Sequence, residues 1–194
     1  MTRAAIFVGS ELRFHEQAKT LEEYLLHEVG MRRHTVALVP CWNKEPDDVL
    51  WTIGLHSAKA NKQPLLLAYL GHGFENGWSY GYRSKGHPLQ IGYDAIGSKL
   101  REHRGPLLVV NECCHAGRIQ DQMTWINSDK VPVGVLAACD ASETSYGAML
   151  PDIIALWRSR KPYTPVVRRL AARKDHEEQR WGAPLDHHFF AKPA

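Results

Sequence analysis

A histidine and a cysteine each follow a short apolar run of this chain. His72 ends the run Pro64–His72 (PLLLAYLGH), and Cys114 stands within Gly105–Gly117 (GPLLVVNECCHAG). A thiol attacks as its thiolate, and an imidazole within reach can take and return the proton near neutral pH. The two segments together therefore predict a Cys–His nucleophilic site.

Neighbouring residues offer the other parts that acyl transfer needs. Gly73 lets the backbone approach a ligand closely, and the N–H groups of Gly73 and Cys114 are candidate donors to an oxyanion. A helix that begins near His115–Gly117 would favour both thiolate and oxyanion through its dipole. A lone cysteine beside apolar residues is usually an inert core residue, so the prediction depends on the histidine and the cysteine occurring together.

Zinc binding is the alternative that the same side chains allow. His72, Cys113, Cys114 and His115 offer soft ligands, but two adjacent cysteines do not readily reach one tetrahedral ion. The sequence therefore favours a nucleophilic site that uses no metal and no cofactor.

Strand-like and helix-like segments alternate along the chain. The predicted strands are Ala4–Val8, Thr35–Val39, Leu65–Leu70, Leu107–Asn111, Val131–Ala138 and a terminal Leu185–Phe190. The predicted helices are Leu12–Val29, Pro46–Asn61, Tyr93–His103, one from about Ala116, and Tyr146–Arg158, and a hairpin is predicted around Ser84–Gly86. Parallel strands need crossover connections, so this alternation predicts an α/β fold with a mostly parallel central sheet of about six strands and helices on both faces.

The predicted sheet explains how the two reactive residues can meet. Sites in such sheets form at the carboxyl ends of the strands. His72 follows the third predicted strand and Cys114 follows the fourth. If these strands are neighbours, the topology brings the two side chains to one edge.

Composition is that of an ordinary globular protein. The chain has 194 residues, 44% hydrophobic and 23% charged, which predicts a single domain over 1–194. A net charge of +3 implies no long-range attraction to nucleic acid, and the basic run Trp157–Lys174 is typical of a solvated face. No segment has the length of a membrane span or the pattern of a signal peptide. The four cysteines lack CxxC spacing, so we expect free thiols and a cytoplasmic protein.

Both segments carry motifs that resemble those of the caspase, metacaspase and orthocaspase superfamily of cysteine peptidases, and the metacaspase-like bacterial members most. Tyr69–Gly73 (YLGHG) is similar to the Y-S-G-H-G histidine motif, and Glu112–Gly117 (ECCHAG) is similar to the D-S-C-H-S-G cysteine motif. Val133–Gly147 resembles the strand and loop that help to form the substrate pocket, and the ending GAPLDHHFF resembles the last strand region. The resemblance spans almost the whole chain. It implies a caspase-like three-layer sandwich and a thiol protease that cuts protein or peptide substrates through a thioester acyl-enzyme.

The resemblance also assigns roles to the residues of the pair. Cys114 would be the nucleophile and His72 the general acid and base, while Gly73 and Cys114 would supply the oxyanion N–H groups. The residue two before the nucleophile selects Arg or Lys in metacaspases, and that position is Glu112 here. The resemblance thus implies cleavage after a basic residue, the P1 residue of the substrate.

Further candidates for the P1 pocket lie in the loop that follows the cysteine-bearing half. Asp140 and Glu143 would add negative potential there, although ordinary solvated loop carboxylates are the commoner case. No residue after the first strand, Glu11 included, matches the acidic pattern that completes the basic-residue pocket. Leu70 also stands where the family has a small residue.

These departures leave alternatives open. One is a catalytically weak caspase-like domain that acts as a regulatory or scaffold module, and another is a peptidase with an Asp or Asn preference at P1. A different cysteine-dependent hydrolase or acyltransferase on the same sheet is a third. We expect no nucleic-acid or membrane partner, and control by a separate activator or regulatory protein is possible.

Overall fold

The fold alternates strands and helices along the chain. The computed structural model describes residues 2–84, 86–126, 133–139, 144–145 and 149–159. The strands are β1 (Arg3–Val8), β2 (Val36–Pro40), β3 (Leu65–Leu70), β4 (His72–Phe74), β5 (Gly77–Tyr82), β6 (Pro88–Gly92), β7 (Leu107–Glu112) and β8 (Val133–Ala137). The α-helices are α1 (Leu12–Glu23), α2 (Pro46–Ala60), α3 (Tyr93–Leu100), α4 (Ile119–Ile126) and α5 (Met149–Ser159). A π-helical turn, Tyr24–Glu28, extends α1, and 3₁₀ turns at Arg33–Thr35 and Ala116–Arg118 precede β2 and α4.

Five strands form the central sheet in the order β2-β1-β3-β7-β8, and each neighbouring pair is parallel. β3 is the middle strand, and every residue of its sequence LLLAYL is buried. A strand that is apolar throughout is expected where helices cover both faces of a parallel sheet. The predicted parallel sheet is therefore confirmed for five strands, while the sixth predicted strand, Leu185–Phe190, lies outside the described residues.

Helices cover both faces of this sheet. The crossover from β1 to β2 runs in one direction across the sheet, whereas the crossovers that carry α2, α3 and α4 run in the other. Because such crossovers are right-handed, α1 lies on one face and the other three helices lie on the opposite face. The contacts agree, since α2 packs against α3, α3 against α4, and α1 against α5. The predicted three-layer arrangement is confirmed.

A second, antiparallel sheet of three strands begins directly at His72. β4 pairs with β5, placing His72 opposite Ser79, and β5 pairs with β6. The turn between β5 and β6 contains Gly86 with φ +78°, whose N–H donates to the Arg83 carbonyl at 2.8 Å. This is the predicted hairpin, and glycine suits its left-handed position.

Boundaries differ from prediction mainly at helix ends. The third helix ends at Leu100, short of the predicted His103, because the chain turns there with a 2.9 Å bond from the His103 N–H to the Leu100 carbonyl. No helix within the described ranges is long and apolar enough to cross a membrane.

Candidate active site

Three neighbouring strands end side by side at one edge of the sheet. Val8 at the end of β1 pairs with Leu70 of β3, which in turn pairs with Glu112 of β7. The ladder continues beyond the strands, because the Gly9 N–H donates to Leu70 (2.8 Å) and the Gly71 N–H donates to Glu112 (3.2 Å). The loops that follow β1, β3 and β7 therefore start from a common, hydrogen-bonded edge.

Gly73 packs directly on the peptide of Cys114. A Cβ built on Gly73 would overlap the carbonyl oxygen of Cys114 and would lie 3.1 Å from the sulfur of Cys113. Only glycine allows this approach of two backbone segments. The structure thus brings the segment of His72 and Gly73 against the segment of Cys114, as the sheet prediction required. Their catalytic roles stay a prediction.

The two adjacent cysteines have different surroundings. Cys114 is half-buried, and its thiol donates to the Ser145 carbonyl with an S–O distance of 3.7 Å. Cys113 is buried, with its sulfur 3.4 Å from the Asn111 amide oxygen and 3.5 Å from the Tyr93 hydroxyl. Burial raises the pKa of the Cys113 thiol well above its ordinary range. Cys113 is therefore a packing residue, and Cys114 is the thiol that solvent can reach.

Disulfides play no part in this arrangement. The structure leaves all four cysteines, Cys41, Cys113, Cys114 and Cys139, as free thiols, which confirms that prediction. No cluster of three or more histidine, cysteine, aspartate and glutamate side chains in the described part of the chain is arranged to hold a metal ion.

The turn after Cys114 has an unusual backbone. His115 has φ +55°, a left-handed conformation that residues with a side chain seldom adopt. The chain then enters the 3₁₀ turn, and the Gly117 N–H donates to the Cys139 carbonyl at 2.9 Å. The helix predicted from about Ala116 therefore begins as a 3₁₀ turn and becomes α-helical at Ile119.

The buried side chain of Asn111 forms hydrogen bonds that hold this turn in place. It is fully buried, and its amide oxygen accepts the indole N–H of Trp78 at 2.9 Å. Its amide nitrogen donates to the Tyr93 hydroxyl (3.1 Å) and to the Ala116 carbonyl (2.9 Å). Sequence reasoning missed this role, although a single amide in the run LLVVNE was a visible signal. A buried polar group of this kind must be hydrogen-bonded, and the partners fix its geometry.

His72 has a carboxylate partner that the sequence did not reveal. Its Nε2 forms a hydrogen bond with the carboxylate of Glu11, the residue that precedes α1. The Phe14 ring stands edge-on to the imidazole, with ring centroids 5.4 Å apart. The Tyr69 hydroxyl donates to the His72 carbonyl at 2.8 Å. The side chain of His72 is thus held from α1, while its backbone is held from β3.

Glu112, which the resemblance assigns to the P1 pocket, is bonded to the start of α5. Its side chain is fully buried, and its two carboxylate oxygens accept the N–H groups of Met149 (3.2 Å) and Leu150 (2.6 Å) at the start of α5. Burial raises the pKa of Glu112 to about 7, although these two hydrogen bonds oppose the change. Both oxygens of this carboxylate are thus bonded to α5, and its role in substrate selection stays a prediction. The other pocket candidates, Asp140 and Glu143, lie outside the described residues.

The sheet order, the covering helices and the strand-end site define a caspase-like α/β fold. A similar solved structure is the crystal structure of caspase-1 from Spodoptera frugiperda, with a TM-score of 0.61 and 12% identity over 94% of this chain and 84% of that chain. The structure of pro-sf-caspase-1 gives a TM-score of 0.58 and 12% identity over 94% of this chain and 89% of that chain. The crystal structure of Raptor from Chaetomium thermophilum gives a TM-score of 0.53 and 16% identity over 92% of this chain and 21% of that chain. No protein-family model matches the chain, and no curated protein sequence matches it.

Proposed function

We propose that this protein is a caspase-like cysteine endopeptidase that uses Cys114 and His72. The observation that carries the proposal is the direct packing of Gly73 on the Cys114 peptide, which sets the histidine-bearing and cysteine-bearing loops against each other. The half-buried Cys114 thiol beside a fully buried Cys113 supports the choice of nucleophile. The likeness to caspase folds agrees with the proposal, as do the two motifs.

The proposed reaction has two steps. His72 takes the proton of Cys114, and the thiolate attacks the scissile carbonyl carbon while the N–H groups of Gly73 and Cys114 donate to the oxyanion. The imidazolium then gives its proton to the leaving amine as the C–N bond breaks, which leaves a thioester acyl-enzyme. Water, deprotonated by His72, attacks the thioester and releases the acid and the free thiol.

For the substrate we propose cleavage after Arg or Lys. The acidic residue of the cysteine motif, Glu112, supports this choice through the resemblance, and Asp140 and Glu143 would contribute charge of the same sign. A basic side chain pairs favourably with carboxylates, whereas an acidic one is repelled. We therefore expect cleavage after Arg and after Lys to be well above cleavage after Asp or Asn.

The test uses fluorogenic peptides that end in Arg, Lys, Asp or Asn, with wild-type protein and the variants Cys114→Ala and His72→Ala. Dyad members act as a unit, so each variant should lose roughly a thousandfold or more in kcat/KM. Cys41→Ala removes a buried thiol outside the site and is the matched control, expected to stay within a few fold of wild type. Activity that survives Cys114→Ala would overturn the choice of nucleophile. A preference for Asp would overturn the P1 proposal and leave the chemistry standing.

A second candidate is a catalytically weak regulatory or scaffold module. The engagement of Glu112 with α5 favours it, because both oxygens of that carboxylate already have partners within the protein. Labelling distinguishes the candidates: iodoacetamide tests only whether Cys114 is accessible, whereas an irreversible peptide probe tests whether a substrate chain is held beside it. Labelling by iodoacetamide but not by any peptide probe would favour the module. A separate activator would appear as peptide labelling that depends on an added partner.

A further inference from the structure

Glu11 reaches the candidate site from a strand that carries no predicted site residue. It lies just after β1, and the extended backbone of Glu11 (φ −84°, ψ 144°) places it at the start of α1. A side chain at that position commonly caps the helix by accepting a backbone N–H. The Glu11 side chain makes no such bond, and its carboxylate instead meets Nε2 of His72.

Topology explains why these two residues meet. The chain leaves β1 towards β2 on one side, and β3 lies on the other side of β1. The two loops therefore diverge between β1 and β3, which opens a crevice at the carboxyl ends of these strands. Glu11 and His72 face each other across that crevice. Cys114 approaches from β7, the next strand along.

A second contact fixes the carboxylate. One oxygen of Glu11 bonds to His72, and the other accepts the Nε–H of Arg13 at 2.7 Å. The Arg13 guanidinium lies over the Phe14 ring, 4.6 Å from its centroid, and the same ring stands edge-on to the imidazole. Each carboxylate oxygen thus has its own donor. These two contacts fix the orientation of the Glu11 carboxylate.

The charge of the carboxylate is also maintained. The hydrogen bond from His72 is the largest cause that lowers the pKa of Glu11 below its ordinary value, and the charge of Arg13 lowers it further. Burial opposes these effects only in part. Both side chains are partly open to solvent, 44% for His72 and 43% for Glu11, so a substrate would cover them further.

From this geometry we propose that Glu11 is a positioning residue for His72, so that Cys114, His72 and Glu11 act as a triad. Glu11 accepts a hydrogen bond from the Nε2–H of His72. Nδ1 is then the nitrogen that exchanges a proton with Cys114. Its negative charge stabilises the imidazolium that forms when the thiolate attacks, much as a carboxylate does in serine-protease triads. The catalytic part of this inference rests on the proposed function, whereas the effect on the imidazole does not.

The test separates charge from orientation. Glu11→Gln keeps an acceptor and removes the charge, Glu11→Ala removes both, and Glu11→Asp keeps the charge with a shorter reach. Glu16→Gln, an exposed glutamate on the same helix, is the matched control. We expect roughly a 10- to 100-fold loss of kcat for Ala, a smaller loss for Gln and partial recovery for Asp, with KM changed little.

Nitrogen-15 NMR of labelled histidine provides a readout that needs no activity, with the His72 signals assigned from His72→Gln. The neutral imidazole of wild type should carry its proton on Nε2, whereas Glu11→Ala, which removes the acceptor, should show a mixture of the two tautomers. Identical tautomers in wild type and Glu11→Ala would overturn the inference, whatever the peptidase assays give. An inactive wild type with the expected NMR change would overturn the proposed function and support the Glu11–His72 pair.

Discussion

Glu112 is a buried carboxylate on which two physical effects act in opposite directions. Hydrogen bonds from the first residues of α5 favour its charged form, and removal from water disfavours it. Burial is the larger effect, so the pKa of Glu112 rises to about 7. A residue chosen from the motif as a specificity determinant is thus also a titrating contact between β7 and α5.

This titration predicts how stability depends on pH. The unfolded chain releases the Glu112 proton near its ordinary pKa of 4.5, whereas the folded protein holds it until about pH 7. Raising the pH through this window therefore favours the unfolded state and should lower the free energy of unfolding by roughly 3 kcal/mol. Glu112→Gln should remove this part of the decline, measured by urea unfolding from pH 4 to pH 8.

The control for that measurement is Glu102→Gln, which changes an exposed glutamate after α3. Its stability curve should run parallel to that of wild type. If the Glu112→Gln curve also ran parallel to wild type, the proposed titration would be wrong.

At the level of elements, the site depends on how the chain leaves β7. Asn111 is the last buried amide before the turn, and it joins three separate segments: β5 through Trp78, α3 through Tyr93, and the 3₁₀ turn through Ala116. His115, between these contacts, keeps its left-handed backbone. The position of Cys114 therefore depends on the hydrogen bonds of the buried Asn111 side chain.

Asn111→Ala should be strongly destabilising. The substitution leaves the Trp78 N–H and the Ala116 carbonyl without their partner in a buried place, which should cost about 2–4 kcal/mol of unfolding free energy. Asn43→Ala, at an exposed turn, should change stability by less than about 0.5 kcal/mol. Urea unfolding followed by tryptophan fluorescence measures both. A cost for Asn111→Ala as small as that of the control would show that the amide network does not stabilise the turn.

Across the whole molecule, stability is concentrated in the middle of the parallel sheet. β3 has a paired strand on either side and helices over both faces, whereas β2 lies at the sheet's edge. Helices α1 and α5 pack against each other, and Arg158 of α5 binds the carboxylate of Glu28, in the π-helical turn after α1, through both oxygens (2.6 and 2.9 Å). That exposed ion pair contributes little, because solvent screens it.

A pair of leucines tests this distribution. Leu67→Ala in β3 removes a fully buried side chain and should cost about 2–5 kcal/mol, because the surrounding core cannot collapse into the cavity. Leu38→Ala in the edge strand β2 removes a partly buried side chain and should cost about half as much or less. Chemical denaturation of both variants gives the comparison. Equal costs would argue against a core centred on β3.

The sequence by itself determined the parallel sheet, the hairpin, and the placement of His72 and Cys114 at strand ends. These features depend on local patterns. Buried strands have apolar sequences, this turn needs glycine, and parallel strands require crossover connections. Only the tertiary structure decided the partners of those residues. Glu11 forms a hydrogen bond with His72, 61 positions away in sequence. Glu112 accepts N–H groups at the start of α5, and Asn111 forms hydrogen bonds with three segments. No local pattern encodes such contacts, because they depend on which strands become neighbours and on how their following loops diverge.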